Sequence, residues 1–407
     1  MMAPVSRPRE RVRSGDTTID RRGRNLDVLP ILSYGFRPFF LAGALYAALA
    51  IPLWLAALFF VAVPTGVFVG AQWHAHEMIF GYLGAVMAGF VLTAIPNWTG
   101  RLPLSGGPLL ILLLAWAAGR LIAFVPVAPA IVAAIDLTFL GALAGAVWRE
   151  IAAGQNYRNI PIAALVSLLA AANLLDYLGL VFANLDGCGT RLALGVAAVM
   201  IALVGGRITP SFTRNWMARG QMQPLPAAMG RIDRIALATT AVAMLAWTVR
   251  PEAIVSGLLL AAAGGLLFIR MSRWRGWRTL TSPIVLVLHL GYLWLSTALV
   301  LLGLAAALAD ATIETAGIHA LTAGAIGTMT LAVMTRASLG HTGRAIETDW
   351  ATAAIYALVT IGALLRVGAS FLPGNYEATL IVAGAAWSAA FALFVVRYGP
   401  MLARPRI

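Results

Sequence analysis

The sequence predicts an all-α, polytopic membrane protein, a bundle of about twelve transmembrane helices with both termini in the cytoplasm. Three observations predict it. The 407 residues are 60% apolar and only 11% charged, with a mean hydropathy of +0.86, whereas soluble domains average about 45–50% apolar and about 25% charged. Apolar runs long enough to cross a hydrocarbon layer recur twelve times along the chain. The arginines fall in every second joint between those runs. The first observation excludes a water-soluble enzyme, a disordered chain and a fibrous repeat.

The spans follow from the runs. A hydrocarbon core about 30 Å thick needs roughly 20 apolar helical residues. Such runs begin near Phe39, Met78, Leu109, Ala130, Ile160, Leu192, Ile235, Ala253, Ile284, Ile318, Ala351 and Ala378. Together they occupy roughly 240 positions, which leaves no room for a soluble domain. Residues 31–407 therefore read as a single transmembrane bundle. The third and fourth runs are parted only by Pro126-Val127-Ala128-Pro129, which fits either a tight helical hairpin or one broken segment.

Residues 1–30 precede the bundle as a disordered, arginine-rich cytoplasmic arm. They include Arg7, Arg9, Arg11, Arg13, Arg21, Arg22 and Arg24 and show no apolar periodicity. Every basic residue is an arginine, and the net charge is +13. Arginines follow the second, fourth, sixth, eighth, tenth and twelfth runs, while Arg191 and Arg250 are the exceptions. Positive charge concentrates on the cytoplasmic side of membrane proteins, so this alternation places both termini there. The charge is thus spent on orientation and is not a nucleic-acid surface.

Chemistry is sought among ionisable groups inside the spans, because they are costly there and are usually functional or paired. Cys188 is the only cysteine, so an intrachain disulfide and Cys-ligated clusters are excluded. The five histidines divide by depth into an outer set, His74, His76 and His319, and an inner set, His289 and His341. Glu77, Arg120, Asp136, Asp176 and Arg366 also fall in the outer half. Asp136 and Asp176 fit either a proton path or pairing with Arg120 or Arg366.

His74 and His76 lie in Trp73-His74-Ala75-His76-Glu77-Met78. Successive helical residues turn by about 100°, so the two imidazoles diverge on a regular helix and cannot grip one ion. Three arrangements remain: an extended start, in which both face one side, an unwound turn, or a helix on which each serves a different site. Glu77 shares the face of His74 and is a candidate to orient it. His319 shares its face with Thr322, Ala323, Ile326 and Gly327, small enough to admit a flat ring or a close helix. His289 shares a face with Tyr292 and Ser296, which makes Tyr292 a candidate hydrogen-bonding neighbour.

Gly81, Gly84 and Gly89 fit close helix packing. Gly205-Gly206-Arg207 lacks the Gly-Lys-Ser/Thr ending of a phosphate loop. No internal repeat is evident, which disfavours a transporter built from two similar halves.

Several blocks occur together and in order. Trp73-His74-Ala75-His76-Glu77-Met78-Ile79-Phe80-Gly81 runs into Ala88-Gly89-Phe90-Val91-Leu92-Thr93-Ala94-Ile95-Pro96-Asn97-Trp98-Thr99-Gly100. Then come Gly205-Gly206-Arg207-Ile208-Thr209-Pro210, His289-Leu290-Gly291-Tyr292, His319-Ala320-Leu321-Thr322-Ala323-Gly324-Ala325-Ile326-Gly327 and Met334-Thr335-Arg336-Ala337-Ser338-Leu339-Gly340-His341-Thr342-Gly343. This pattern closely resembles the NnrS family of bacterial membrane proteins, from about Pro38 to the last spans.

The resemblance implies a twelve-span protein of the bacterial inner membrane that contains haem, of b type, and copper, and that serves the nitric oxide response and denitrification. All five histidines fall within the blocks and are its expected cofactor and metal ligands, with Tyr292, Arg336, Asn97 and Trp98 as supporting residues. Glu77, Asp136 and Asp176 are the expected proton path if nitric oxide is reduced, as by a nitric oxide reductase-like oxidoreductase. The blocks do not apportion haem and copper among the histidines, nor do they specify the electron donor. The rival expectations are a twelve-helix secondary transporter and a non-enzymatic sensor or metal-protection protein.

Overall fold

The structure, a computed structural model, describes residues 28–61 and 66–407. The expected arm at 1–30 lies outside the described residues, apart from its last three positions. Twelve helices follow: α1 (Phe36–Phe59), α2 (Ala71–Thr99), α3 (Gly107–Ile122), α4 (Pro129–Ala153), α5 (Tyr157–Gly179), α6 (Ala183–Arg219), α7 (Arg231–Val249), α8 (Ile254–Ser272), α9 (Pro283–Leu308), α10 (Ala311–His341), α11 (Trp350–Ala369) and α12 (Pro373–Ala403). Eleven are long and apolar enough to cross a membrane. The exception is α3, whose 16 residues span about 24 Å at about 1.5 Å per residue. It forms a hairpin with α4 across Pro126–Pro129, the first of the two arrangements expected there.

Three starts differ from expectation. The second, sixth and tenth helices begin at Ala71, Ala183 and Ala311, each about two turns or more before its apolar run. The reason is burial in protein. These are the three most enclosed spans, with 83%, 67% and 67% of their apolar windows inside the bundle. A helix wrapped by other helices can carry His74 or Glu77 in its first turns without exposing them to lipid. Hydropathy marks what lipid tolerates and therefore misplaces the ends of inner helices.

The inner helices also reveal an order that the sequence hides. Each is the second member of a unit of four helices, α1–α4, α5–α8 and α9–α12. Each contains a π-helical stretch, at Glu77–Leu83, Ile201–Gly205 and Ala320–Ile326. The last helix of each unit packs on the first of the next: α4 on α5, α8 on α9, and α12 back on α1. Three four-helix units thus close a ring around α2, α6 and α10. Both ends of the described chain meet at one end of the bundle, where Arg37 Nη1 donates to the carbonyls of Leu402 (2.7 Å) and Arg404 (2.6 Å).

Glycine lets the helices approach. A Cβ at Gly89 would lie 2.7 Å from the Phe40 ring, in keeping with a packing role. At the α5–α6 crossing the approach is tighter: a Cβ at Gly189 would meet the backbone nitrogen of Asp176 at 2.3 Å and the carbonyl of Ala172 at 2.6 Å. Backbone cannot rotate away as a side chain can. Gly189→Ala should therefore cost about 1–3 kcal/mol, read as a lower melting temperature in detergent. An unchanged melting temperature would show that the helices separate freely there.

Candidate functional site

A cavity of about 680 Å³ opens at the end of the bundle opposite the chain termini, within the usual range for small-molecule and cofactor sites. Its wall is almost wholly apolar, including Ile51, Leu55, Met78, Ile79, Leu380 and Trp387. The polar groups that reach it are few. The main ones are His74 from α2, His319 from α10 and Arg366 from α11. Arg366 lies close enough to act electrostatically on both imidazoles, and His74 on His319.

The two histidines are held differently. The Nδ1 of His319 lies 2.8 Å from the Thr315 carbonyl. Only an N–H can pair with a carbonyl oxygen, so Nδ1 carries the proton and Nε2 keeps its lone pair. Thr322 turns its hydroxyl to the Ile318 carbonyl (2.9 Å), leaving its methyl group with Ala323 and Ile326 as the wall beside the imidazole. The small face expected beside His319 is therefore the cavity wall. Gly327 instead faces the Trp387 ring, which a Cβ would meet at 2.4 Å. The ring of His74 stacks on Trp54, with centroids 5.2 Å apart and planes 13° apart. Among the described residues its buried Nδ1 has no hydrogen-bond partner, nor has Nη1 of Arg366.

The local backbone explains why the cavity exists. A π-helical stretch begins directly after each histidine-bearing turn, at Glu77 in α2 and at Ala320 in α10. The extra residue in a π turn shifts the register of the side chains that follow, and such bulges are frequent at functional sites. Met78, Ile79, Tyr82 and Leu83 line the cavity from one stretch, and Thr322, Ala323 and Ile326 from the other.

His76 does not join this group. Of the three arrangements open for the pair, the helix serving two sites is the one found. Nδ1 of His76 meets Asp176 Oδ2 at 2.9 Å, and Nε2 meets Asp136 Oδ2 at 3.1 Å. With both nitrogens engaged by carboxylates, neither lone pair is free for a metal. Phe68 stacks on its ring at 4.1 Å. The three candidate proton-path carboxylates all belong to this network. Arg120 bonds to Glu77 (2.5 Å) and also to Asp136, Tyr46 bonds to Glu77, and Asn173 donates to Asp136 at 3.1 Å. Glu77 therefore pairs with Arg120 and Tyr46 and does not orient His74, because burial of its charge demands a cation. One link reaches the cavity: the hydroxyl of Thr190, in the cavity wall, donates to Asp176 Oδ1 at 2.9 Å.

The inner histidines are separate from the cavity and from each other. Thr213 donates its hydroxyl proton to the Thr209 carbonyl (2.9 Å), so the 2.8 Å contact with His289 Nε2 has the imidazole N–H as donor. Nδ1 of His289 then holds a lone pair and is buried without a partner among the described residues. Glycine at 276 makes room for it, since a Cβ there would sit 2.7 Å away. Tyr292 is not its hydrogen-bonding neighbour. Its hydroxyl accepts from Arg270 (2.8 Å), a buried cation that also bonds to Asp233 and to the carbonyls of Ala202 and Gly206 around the π stretch of α6.

His341 is exposed and stacks on Tyr34 with centroids 6.5 Å apart. The Arg336 guanidinium lies over the Phe212 ring at 3.6 Å. Asn97 is exposed near the end of α2, and the Trp98 carbonyl accepts from Asn156. None of these lines the cavity. Among the described residues, no group of three or more His, Cys, Asp or Glu is disposed to hold a metal ion.

The roles of two contributors are not legible in the sequence. Arg366 stood out only as a costly intramembrane charge, and Trp54 sits in an ordinary apolar run that gives no sign of the stack. The NnrS family, described as "NnrS protein", matches residues 30–406. No curated protein matches the chain.

Proposed function

The chain belongs to the NnrS family, and from that premise we propose that the α2–α10–α11 cavity holds a b-type haem at which the protein binds nitric oxide and removes it, in support of nitrosative-stress resistance and denitrification. The observation that carries this reading is the convergence of His74, His319 and Arg366 on one apolar cavity, each with nitrogen left unshared by the described residues. Buried polar groups are nearly always satisfied, and an unsatisfied one calls for an explanation such as a bound group. A haem fits this donor set. His319 and His74 are the residues that would hold its iron, one of the two giving way when the gas binds, and Arg366 would pair with a propionate. When bound, the group supplies an iron centre that binds diatomic gases and exchanges single electrons.

The chain's own residues supply the setting. The Thr315 carbonyl fixes the tautomer and plane of His319, and Trp54 fixes the plane of His74. The apolar wall excludes water and ions but admits a small neutral gas from the bilayer. Asp176, joined to the wall through Thr190, is the carboxylate best placed to pass protons to the cavity, with His76 and Asp136 behind it. Copper, also implied by the resemblance, finds no three-donor set among the described residues, and we derive no step through it.

The test is purification in mild detergent with visible spectroscopy, iron and copper analysis, and addition of nitric oxide with and without a reductant. Haem colour, a spectral shift with the gas and consumption of the gas are expected. A folded, colourless, iron-free protein would overturn the reading, and a shift without consumption would make it a sensor. Arg366→Leu should release haem at least about 10-fold more readily, the equivalent of one hydrogen bond to a charged group. Retention equal to that of the unaltered protein would remove Arg366 from the site.

A further inference from the structure

A second pocket, of about 490 Å³, lies between α11 and α12 at the end of the bundle that carries the chain termini. Its lining is two-natured. Leu393, Val396 and Met401 form an apolar side, and Arg344, Arg397 and Arg404 bring three guanidinium groups to it. It opens outward, since Val396 is 72% exposed and Trp350, which also lines it, 78%. Tryptophan beside arginine is the usual marker of the membrane–water boundary.

The charges in the pocket are unbalanced. Among the described residues, the only ion pair made by these three arginines joins Arg397 Nε to Asp349 Oδ2 at 2.6 Å. The other oxygen of Asp349 already accepts from the backbone nitrogen and hydroxyl of Thr352, at 2.8 and 2.6 Å. Two guanidinium groups are left without a carboxylate among the described residues, and Nη1 of Arg344 is buried with no hydrogen-bond partner among them. A buried, unpaired arginine nitrogen is costly, and the guanidinium fork matches a phosphate. The apolar side continues the outward face of α12, so a bound phosphate carrying a hydrocarbon chain would fill both halves of the pocket. A free anion would fill only one.

We propose that this pocket is a specific site for an anionic phospholipid, with the headgroup phosphate on Arg344 and Arg404 and an acyl chain along Leu393 and Val396. The inference is independent of what the haem cavity does. It differs from a general attraction of positive ends for negative lipid, because it assigns the lipid to one place and gives the acyl groove a part.

The experiment is native mass spectrometry of the full chain, titrated with phosphatidylglycerol and, separately, with phosphatidylcholine. The unaltered protein should retain one phosphatidylglycerol molecule in preference to phosphatidylcholine. Arg344→Gln with Arg404→Gln should weaken that binding roughly 30-fold, since each arginine near a membrane surface contributes about a factor of five. Arg158→Gln, an exposed arginine at the same end but outside the pocket, should leave binding unchanged. Val396→Trp, which fills the groove and keeps every arginine, should weaken phosphatidylglycerol binding by a similar factor. It also carries the test if the double variant fails to fold. Equal loss in Arg158→Gln, or no loss in Val396→Trp, would overturn the proposal. Full displacement of the lipid by inorganic phosphate would also overturn it and make the pocket a site for free anions.

Discussion

His319→Ala, purified beside the unaltered protein, is expected to lose nearly all of its haem absorbance and iron, and His74→Ala most of it. An imidazole that ligates the iron would contribute directly to holding it. Even the loss of a ligand's hydrogen-bonding partner typically costs about 10–100-fold in metal affinity, so loss of the ligand itself should exceed that. Added imidazole should restore part of the absorbance, because the vacated space lies in an open cavity. His76→Ala serves as the contrast. It breaks two hydrogen bonds to Asp136 and Asp176 and should lower the melting temperature, but the folded fraction should keep its haem. Iron retained by the His74→Ala, His319→Ala double variant would sink the assignment. Loss of iron on replacing His76 alone, in a protein that remains folded, would move the site to the acidic network.

Arg120→Met is expected to be the most destabilising single change outside the cavity. Arg120 is 5% exposed and bridges Glu77 and Asp136, which are 1% and 2% exposed. Removing that cation leaves Glu77 buried without a cationic partner among the described residues and Asp136 with His76 alone. Breaking a buried ion pair in this way costs about 3–5 kcal/mol, against a total stability of about 5–15 kcal/mol for a typical domain. Little folded protein should accumulate, as judged by size-exclusion profile and thermal melt. Arg120→Lys should fall between, because one ammonium cannot reproduce a fork that serves two acids. Adding Glu77→Gln and Asp136→Asn to Arg120→Met should recover much of the loss, since the charges left unpaired are then gone. A near-normal melt for Arg120→Met would show that water or another cation reaches the network. A failure of the triple variant to recover would point to packing by the arginine stem.

Sequence reading went furthest where a residue meets lipid. The twelve runs were legible because every outward face must be apolar over the depth of the bilayer. The costly residues Arg120, Asp136, Asp176 and Arg366 were legible because charge is rare there. It fell short where helix meets helix. Hydropathy puts the starts of α2, α6 and α10 too late, and the three-unit ring leaves no visible repeat, because packing among inner helices constrains shape more than residue identity. The divergence of His74 from His76 was available as one option from the helical turn. The turn alone could not say that His74 would face a cavity and His76 two acids.

The amino-acid sequence by itself determined that this is a many-spanned helical membrane protein, which family it resembles, and which few side chains must find partners inside it. Hydropathy and local order suffice for that, since each residue answers to its nearest solvent. Only the tertiary structure decided the partners. It brought His74 together with His319 and Arg366, which lie more than two hundred residues further along the chain, and it gave His76 to Asp136 and Asp176. Contacts of that kind depend on which helices stand side by side and on where π turns shift their faces, and neither is written in any local stretch of sequence.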